Sequence, residues 1–362
     1  GIDGAIYCAP SRAGGRVLRI TSEGKGRAEL IGDACQGCFS SVVRGPDHNL
    51  YCIPQGAPQV MRIVPSKCTV ECIGERFDSL AMTRWGMGVC GSNGKIYCVP
   101  RGFGMQVLCI DPVDNTMDLM GHVAPAEDWW SGAVRSRDGR IFCMPANAPQ
   151  ILCIDTESNS TYLVGEHLGM GGFKYSGGVL ASDGCIYCCP RGATRVLRFN
   201  PEDLSVELFG EDFHGGLNKW VQGVLGPDGC IYCPPADATR VLRIDPVNRT
   251  AQLIGGDLGS PGTYKWCSGV LAQNGEIYGV PCMSSDILCL KTPVPCGWMH
   301  AVGEPWTPER HRFFRRDSRL MAKHLMCLGF QIANSGAFAS TERALLNLWP
   351  SIIAFLVFND PY

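Results

Sequence analysis

Residues 183–201, DGCIYCCPRGATRVLRFNP, and residues 228–246, DGCIYCPPADATRVLRIDP, follow almost the same pattern. Each stretch starts with an Asp-Gly pair and continues with a short run rich in Ile and Tyr. Each then ends with an Arg-containing apolar run before a proline. Asp-Gly supplies the positive φ angles of a two-residue hairpin, and a proline after Asn or Asp sets the next turn. The pattern therefore predicts two short strands in each stretch.

The first half of this pattern recurs along the chain at nearly constant spacing. Its central aromatic residues are Tyr7, Tyr51, Tyr97, Phe142, Tyr187, Tyr232 and Tyr278. Neighbouring members are 44 to 46 residues apart, a period typical of propeller blades. Turn dipeptides recur too often to leave room for a helix of about ten residues within a repeat. We therefore predict an all-β fold, a seven-bladed β-propeller of four-stranded antiparallel blades, over residues 1–302.

The innermost strand of each blade precedes the Asp-Gly turn. It is visible in six repeats through one valine each, at Val42, Val89, Val134, Val179, Val224 and Val270. The first repeat starts at its turn, Asp3-Gly4, so blade one lacks its innermost strand in this sequence. Either residues upstream of Gly1 or the C-terminal segment would supply that strand, and we expect the upstream residues to do so.

Composition argues against several classes of protein. The formal net charge of the 362 residues is -2, whereas wholesale nucleic-acid binding needs an excess of Lys and Arg. No apolar run reaches the 18 residues of a membrane-spanning helix, so we expect no transmembrane span. The seven histidines show no metal-ligand spacing. We predict no cofactor, no metal site and no catalytic residue.

The repeat resembles the propeller repeats of many protist proteins and, more distantly, the NHL and SMP-30/gluconolactonase propellers. Residues 183–201 and 228–246 carry the resemblance, which covers residues 1 to about 302. An SMP-30 type would imply a divalent metal held in the channel by carboxylates and Asn. Here the inner-strand positions are mostly small and neutral: Ser40-Ser41, Met87-Gly88, Gly132-Ala133, Gly177-Gly178, Gln222-Gly223 and Ser268-Gly269.

The chain contains 21 cysteines, many at equivalent positions. One strand-B position holds Cys8, Cys52, Cys98, Cys143, Cys188 and Cys233, and one strand-C position holds Cys109, Cys153 and Cys289. Three interpretations are open: cross-strand disulfides such as Cys98–Cys109, a metal site at the single CxxC of Cys35 and Cys38, or small apolar residues between blades. We favour the third because four other blades set the strand-B cysteine opposite Arg. It implies an intracellular, reducing compartment.

The residues just before each innermost strand predict a binding surface around the mouth of the central channel. The predicted set is Arg84, Trp85, Trp129, Trp130, Lys174, Tyr175, Lys219, Trp220, Lys265 and Trp266, with Arg101 and Arg191 from the B–C loops. In the second repeat we assign this place to Gly37-Cys38. Such a cationic, aromatic rim would accept an acidic peptide, an anion or a partner loop. The alternative is that the aromatics pack between blades and the lysines are solvated.

After residue 302 the repeat ends, and residues 303–362 predict a short α-helical segment with an apolar face that needs cover. Its candidate docking residues are Trp306, Phe314, Leu348, Trp349, Ile352 and Phe355. The segment resembles a helical module that follows ankyrin repeats in some protist proteins, with a box like that of F-box or SOCS-box proteins. That resemblance implies a ubiquitin-ligase adaptor. The alternative is a segment that docks on the propeller or on another subunit.

Taken together, these features predict a non-catalytic scaffold or accessory subunit that binds protein partners through the rim and the helical segment. A substrate adaptor of a ubiquitin ligase and an SMP-30-like hydrolase are the alternatives. A small-molecule ligand remains compatible with the rim.

Overall fold

The protein is a seven-bladed β-propeller made of antiparallel sheets, with almost no helix. A computed structural model describes residues 1–21, 27–77, 85–102, 106–121, 129–272 and 275–292. The predicted fold class is confirmed. The C-terminal segment 303–362 and its candidate docking residues lie outside the described residues.

Within each blade the strands are ordered A to D from the channel outward. Blade one contains β1 (Ile6–Cys8), β2 (Val17–Thr21) and β3 (Arg27–Ile31). Blade two contains β4 (Phe39–Arg44), β5 (Leu50–Pro54), β6 (Val60–Val64) and β7 (Thr69–Ile73). A single 3-10 turn, Pro65–Lys67, joins β6 to β7. Blade three contains β8 (Trp85–Cys90), β9 (Ile96–Pro100), β10 (Val107–Ile110) and β11 (Met117–Met120).

The remaining blades repeat this order. Blade four contains β12 (Trp130–Arg135), β13 (Ile141–Pro145), β14 (Ile151–Asp155) and β15 (Ser160–Val164). Blade five contains β16 (Val179–Leu180), β17 (Ile186–Cys188), β18 (Val196–Phe199) and β19 (Val206–Phe209). Blade six contains β20 (Val224–Leu225), β21 (Ile231–Cys233), β22 (Val241–Asp245) and β23 (Thr250–Ile254). Blade seven contains β24 (Trp266–Leu271), β25 (Glu276–Pro281) and β26 (Leu288–Lys291).

Five sheets have four strands, and in the described residues the first and the last have three. The strands of blade one correspond to B, C and D, because β1 aligns with the second strand of the other blades. Those of blade seven correspond to A, B and C.

The core lies between neighbouring blades. Strand B is buried on both faces, and its side chains point alternately into the interface with the preceding blade and the interface with the following blade. Tyr187 and Val196 of blade five pack against Ile231, Cys233 and Leu242 of blade six. The same arrangement joins each pair of consecutive blades from one to seven. An isolated sheet would expose two apolar faces to water, whereas packing the sheets around a ring buries both faces of each sheet.

The Asp-Gly turn is built as its residue types require. Gly184 adopts φ 83°, a left-handed conformation that glycine adopts without steric cost. Asp183 accepts hydrogen bonds from the backbone N–H of Cys185, at 3.0 Å, and from the Tyr187 hydroxyl, at 2.8 Å. This side chain therefore fixes both the turn and the strand that follows it.

The strand register corrects the interpretation of the cysteines. Strand-B Cys188 lies opposite Leu197, while Arg198 lies opposite Tyr187. In blade three, Cys98 lies opposite Leu108, and Cys109 lies opposite Tyr97. Because neighbours along a strand point to opposite faces, Cys98 and Cys109 point away from each other. The cross-strand disulfides considered from the sequence are therefore not formed, and every described cysteine is a free thiol.

No helix in the described part of the chain is long and apolar enough to span a bilayer.

Candidate functional site

We use the term channel mouth for the end of the ring formed by the loops before each strand A and after each strand B. The first residue of strand A pairs with the proline that ends strand B in every blade that shows both. The pairs are Phe39↔Pro54, Trp85↔Pro100, Trp130↔Pro145, Tyr175↔Pro190, Trp220↔Pro235 and Trp266↔Pro281. The aromatic of blade two is therefore Phe39, one residue later than the place we assigned from the sequence.

The aromatic rings at this position lie inside the ring, between blades. Trp85, Trp130, Tyr175, Trp220 and Trp266 are at most 5% exposed. Each ring donates a hydrogen bond from its N–H or hydroxyl to a backbone carbonyl just before strand C. The four tryptophans donate at 2.9 Å to the carbonyls of Gln106, Gln150, Arg240 and Asp286, and Tyr175 donates at 3.1 Å to that of Arg195. These rings therefore hold strand A against strand C.

The basic residues beside the aromatics are also buried. Lys174, Lys219 and Lys265 are less than 10% exposed. Their ammonium groups donate to carbonyls of their own D–A loops, at 3.2 Å to Gly171, 3.0 Å to Gly216 and 3.3 Å to Ser260. Burial lowers the pKa of Lys219 and of Lys265. The lysines are therefore enclosed by loops instead of solvated, and they fix the D–A loops. Arg84, the equivalent residue of blade three, lies outside the described residues.

Backbone hydrogen bonds link these positions from blade to blade. Lys174 N–H donates to Ala146 at 2.8 Å, Arg191 N–H to Lys174 at 3.0 Å, and Lys219 N–H to Arg191 at 3.0 Å. The chain of bonds continues through Ala236, Lys265 and Cys282. Blades four to seven are thus connected by main-chain atoms at the mouth.

We use the term mouth ring for the seven residues that follow the strand-B prolines, one from each blade. They are Ser11, Gln55, Arg101, Ala146, Arg191, Ala236 and Cys282. This position lies against the start of strand A. A Cβ placed on Gly86 would lie 3.2 Å from Cδ of Arg101. Arg101 and Arg191 are the cations of the mouth ring, and both are half-buried.

Arg101 and Arg191 differ in their contacts. Arg191 donates from Nε to Asn218 Oδ1 at 2.8 Å, and its guanidinium lies 5.1 Å from the centroid of the Phe173 ring. The Arg101 backbone bridges to Trp129, but its guanidinium makes no hydrogen bond or ion pair with any residue that the structure describes. Burial lowers the pKa of Arg101, and the nearby charge of Arg191 lowers it further. An unpaired, half-desolvated guanidinium beside a second one is a candidate anion site.

The residues that precede the mouth lysines adopt left-handed backbone conformations. Phe173 has φ 44°, Asn218 has φ 61° and Tyr264 has φ 46°. For an aromatic residue this conformation is uncommon and costs of order 1 kcal/mol or more, and such residues cluster at functional sites. The backbone N–H groups of Phe173 and Tyr264 donate to the side chains of Asn147, at 3.0 Å, and Asp237, at 2.8 Å. The B–C loop of the preceding blade therefore holds each strained residue in place.

Exposed apolar side chains surround the mouth. Met170, Leu217 and Met283 are 53%, 51% and 62% exposed, and all three lie on D–A or B–C loops. Trp129, which occupies the lysine position of blade four, is half-buried and meets the Phe173 ring edge-on at 5.6 Å. The mouth thus combines unsatisfied positive charge with apolar surface. Sequence reasoning missed Phe173, Leu217, Asn218 and Tyr264, because their residue types do not repeat at equivalent positions, although three of them directly precede a repeated lysine.

The inner strands leave a narrow channel lined by small residues. Ser131 and Ser176 hydroxyls lie 3.0 Å apart, and Ser268 donates to Gln222 at 3.2 Å. A Cβ on Gly132 would lie 2.5 Å from Cα of Gly177, so neighbouring A strands approach closely only because both residues lack a side chain. No group of three or more His, Cys, Asp or Glu residues suited to a metal ion occurs among the described residues.

At the opposite end of the ring, charged groups form ordered networks. Asp3 accepts from the Tyr7 hydroxyl at 2.8 Å and from Arg19 at 2.9 Å, and Arg19 also pairs with Glu29 at 2.7 Å. Blade five repeats the network with Asp183, Tyr187, Arg198 and Glu207. These charges are satisfied within each blade, unlike that of Arg101.

No protein-family model matches the chain, and no curated protein matches it. Solved structures do resemble it. A catalytically inactive virginiamycin B lyase from Staphylococcus aureus with quinupristin matches at 12% identity and TM-score 0.59, covering 79% of this chain and 94% of that one. A protein described as a 6-phosphogluconolactonase from Bacteroides uniformis matches at 15% identity and TM-score 0.53, covering 80% and 93%. At such identities the likeness shows the propeller fold alone.

Proposed function

We propose that the protein is a non-catalytic binding module that captures an acidic, partly apolar segment of a partner protein at the channel mouth. The observation that carries the proposal is the Arg101 guanidinium, half-buried and without a hydrogen-bonding partner among the described residues, beside the guanidinium of Arg191. A carboxylate between the two would relieve their repulsion and accept charge-assisted hydrogen bonds.

The surroundings support a peptide in preference to an isolated ion. Met170, Leu217 and Met283 offer exposed apolar contacts around the charge. The loops of Met170 and Leu217 are held by the ammonium groups of Lys174 and Lys219, and the loop of Met283 by its backbone bonds to Tyr264 and Lys265, so the surface is ordered before a partner arrives. A preordered surface loses less conformational entropy on binding.

The test uses a fluorescein-labelled peptide that alternates glutamate and leucine pairs, with fluorescence anisotropy as the readout. We expect binding that weakens with salt, and an Arg101→Gln/Arg191→Gln variant that binds about tenfold or more weakly. Arg240→Gln is the matched control, since Arg240 lies on the same face but donates to the Gly255 and Leu253 carbonyls at the outer edge. Equal affinity of the double variant and the control would refute the proposal.

The other two predicted functions depend on different parts of the chain. An adaptor of a ubiquitin ligase would depend on the segment 303–362, and a cullin or Skp1-like protein among the partners would favour it. A hydrolase would depend on the channel, and metal-dependent lactone hydrolysis by the purified protein would favour it. We also propose a reducing compartment, which the free thiols of the described cysteines support.

A further inference from the structure

Blade seven differs from the other blades at the mouth, because it carries two cysteines there. Cys267 follows Trp266 at the start of strand A, and Cys282 follows Pro281 at the end of strand B. Trp266 pairs with Pro281, and the register then shifts, so that Ser268 pairs with Val280. Cys282 N–H donates to the Lys265 carbonyl at 2.8 Å. Cys282 therefore lies opposite Lys265, and Cys267 lies two residues further along the chain, at the register shift.

The two thiols are neighbours. The pKa shifts of Cys267 and Cys282 reflect a hydrogen-bonding interaction between them, and the Cys267 sulfur lies 3.9 Å from the carbonyl oxygen of Val280. Blade three shows that these two positions touch in general, since Gly86 and Arg101 occupy them. Both cysteines of blade seven are partly exposed, whereas the strand-B cysteines are buried.

The interaction changes the chemistry of one sulfur. The hydrogen bond from Cys267 lowers the pKa of Cys282 to about 7, against the effect of its own burial. The same bond, together with burial, raises the pKa of Cys267. For comparison, burial raises the pKa of Cys52 and of Cys143 far above the ordinary value. Cys282 therefore has more thiolate character than the buried strand-B cysteines, with a second thiol beside it.

The charges nearby favour an anionic reactant. The Tyr264 hydroxyl interacts electrostatically with Arg191, with both thiols and with the carboxylate of Asp237, so these groups share one end of the mouth. Arg101, in turn, interacts with Arg191 and Tyr264. A small disulfide that carries carboxylates would be attracted to this end of the channel.

We propose that Cys267 and Cys282 are a redox-active dithiol that a small anionic disulfide, such as oxidised glutathione, converts reversibly to an intramolecular disulfide. The Cys282 thiolate attacks one sulfur of the small disulfide, forms a mixed disulfide and expels a thiolate. Cys267 then gives its proton to that thiolate and attacks the Cys282 sulfur, releasing the second small thiolate, which takes a proton from water. The protein loses two electrons and one proton, and one small disulfide becomes one thiol and one thiolate before that last proton transfer. Since the two side chains are already neighbours, only small side-chain rotations are required.

The first test is a titration in glutathione redox buffers, followed by alkylation and peptide mass spectrometry. Cleavage after Glu276 separates the two cysteines, so an internal disulfide appears as two linked peptides. We expect the Cys267–Cys282 link in the folded protein before any other disulfide. Cys289 is the internal control, because it is exposed in the same blade and its pKa is raised by burial. Absence of the link at every buffer ratio would overturn the proposal.

Matched variants separate the roles of the two thiols. Cys267→Ser keeps a hydrogen-bond donor but cannot resolve a mixed disulfide, so Cys282 should accumulate the glutathione adduct. Cys267→Ala removes the donor, and alkylation of Cys282 at neutral pH should slow about fivefold relative to Cys267→Ser. Circular dichroism of each variant verifies folding. Equal alkylation rates in the two variants, or adduct formation at Cys289 at the rate of Cys282, would contradict the assignment. The proposal does not depend on peptide binding, since the two cysteines and Arg101 belong to different blades.

Discussion

Arg101 and Arg191 come from blades three and five, and their guanidinium groups are close enough at the channel mouth to repel each other. Nothing in the described part of the chain compensates the charge of Arg101, while Asn218 and the Phe173 ring hold Arg191. Their repulsion destabilises the unbound protein, and an acidic partner would relieve that repulsion when it binds.

The first prediction separates stability from binding at this pair. Arg101→Gln should leave the free energy of unfolding within about 0.5 kcal/mol of wild type, because no hydrogen bond is lost and a like-charge contact is relieved. Arg191→Gln should lower it by about 1 kcal/mol, because it loses the bond to Asn218 and the contact with Phe173. Urea denaturation of both variants measures the difference. If Arg101→Gln proved the more destabilising, Arg101 would have a structural role.

The second prediction concerns the aromatic residue between blades five and six. Tyr175 makes the same kind of hydrogen bond in blade five that Trp220 makes in blade six. Trp220→Tyr should therefore be the mildest change, while Trp220→Phe should cost about 1 kcal/mol more for the unpaired Arg240 carbonyl. Trp220→Ala should cost about 3–5 kcal/mol through the cavity it leaves. Thermal and urea unfolding give the order, and a Phe variant as stable as Tyr would remove the hydrogen bond from the explanation.

The third prediction concerns acid stability. Burial by itself would raise the pKa of Asp138, but hydrogen bonds from Arg140 and Ser136 outweigh it and leave that pKa lowered. A lowered carboxyl pKa stabilises the fold above the ordinary value near pH 4 and loses its effect as pH falls through the folded value. Asp138→Asn should be less stable than wild type at pH 7, and the difference should narrow as pH falls below the ordinary carboxyl value. Urea midpoints at pH 7 and at several values below about pH 4 measure this, and a difference that does not narrow would assign the effect to packing.

The fourth prediction concerns two neighbouring positions, one at the start of strand B and one on strand C. In six blades, Lys or Arg occupies one of the two positions and an uncharged residue occupies the other. Blade four has Arg140 and Cys153, while blade five has Cys185 and Arg198, whose side chains are 3.0 Å apart. Cys153→Arg should cost about 2 kcal/mol, because it sets a second guanidinium beside Arg140. Adding Arg140→Cys should recover at least half of that loss, about 1 kcal/mol of coupling. A double-mutant cycle by urea denaturation tests the coupling, and additive effects would show that the two positions are independent.

The 45-residue spacing was enough to predict the fold, because a repeat with turn residues at fixed places can bury its sheets only against copies of itself. The register was harder to predict. We set the strand-B cysteine opposite Arg198 and its equivalents, whereas the pairing puts Leu197 there. A shift of one residue reverses which side chains share a face, and spacing alone does not fix it.

For Trp220 the sequence left two interpretations open, a binding rim or packing between blades, and its burial favours packing. Lys219 was expected to be solvated under both interpretations and is buried, whereas Arg101 and Arg191 remain candidate binding residues. The contribution of Tyr264 could not be foreseen. Tyr264 precedes the repeated Lys265-Trp266 pair, but its counterparts are Phe173 and Asn218, so a tyrosine does not repeat at this place. Its interaction with Arg191 depends on closure of the ring, which brings together residues more than seventy positions apart.

One continuous series of blade-to-blade bonds at the mouth uses only main-chain atoms, from Ala146 through Lys174, Arg191 and Lys219 to Cys282. Side chains of the mouth ring can consequently be exchanged without loosening the framework that displays them. Arginine, alanine and cysteine already occupy equivalent places on one skeleton. Natural variation, or deliberate redesign, could therefore retarget this end of the molecule to new ligands while leaving its architecture intact.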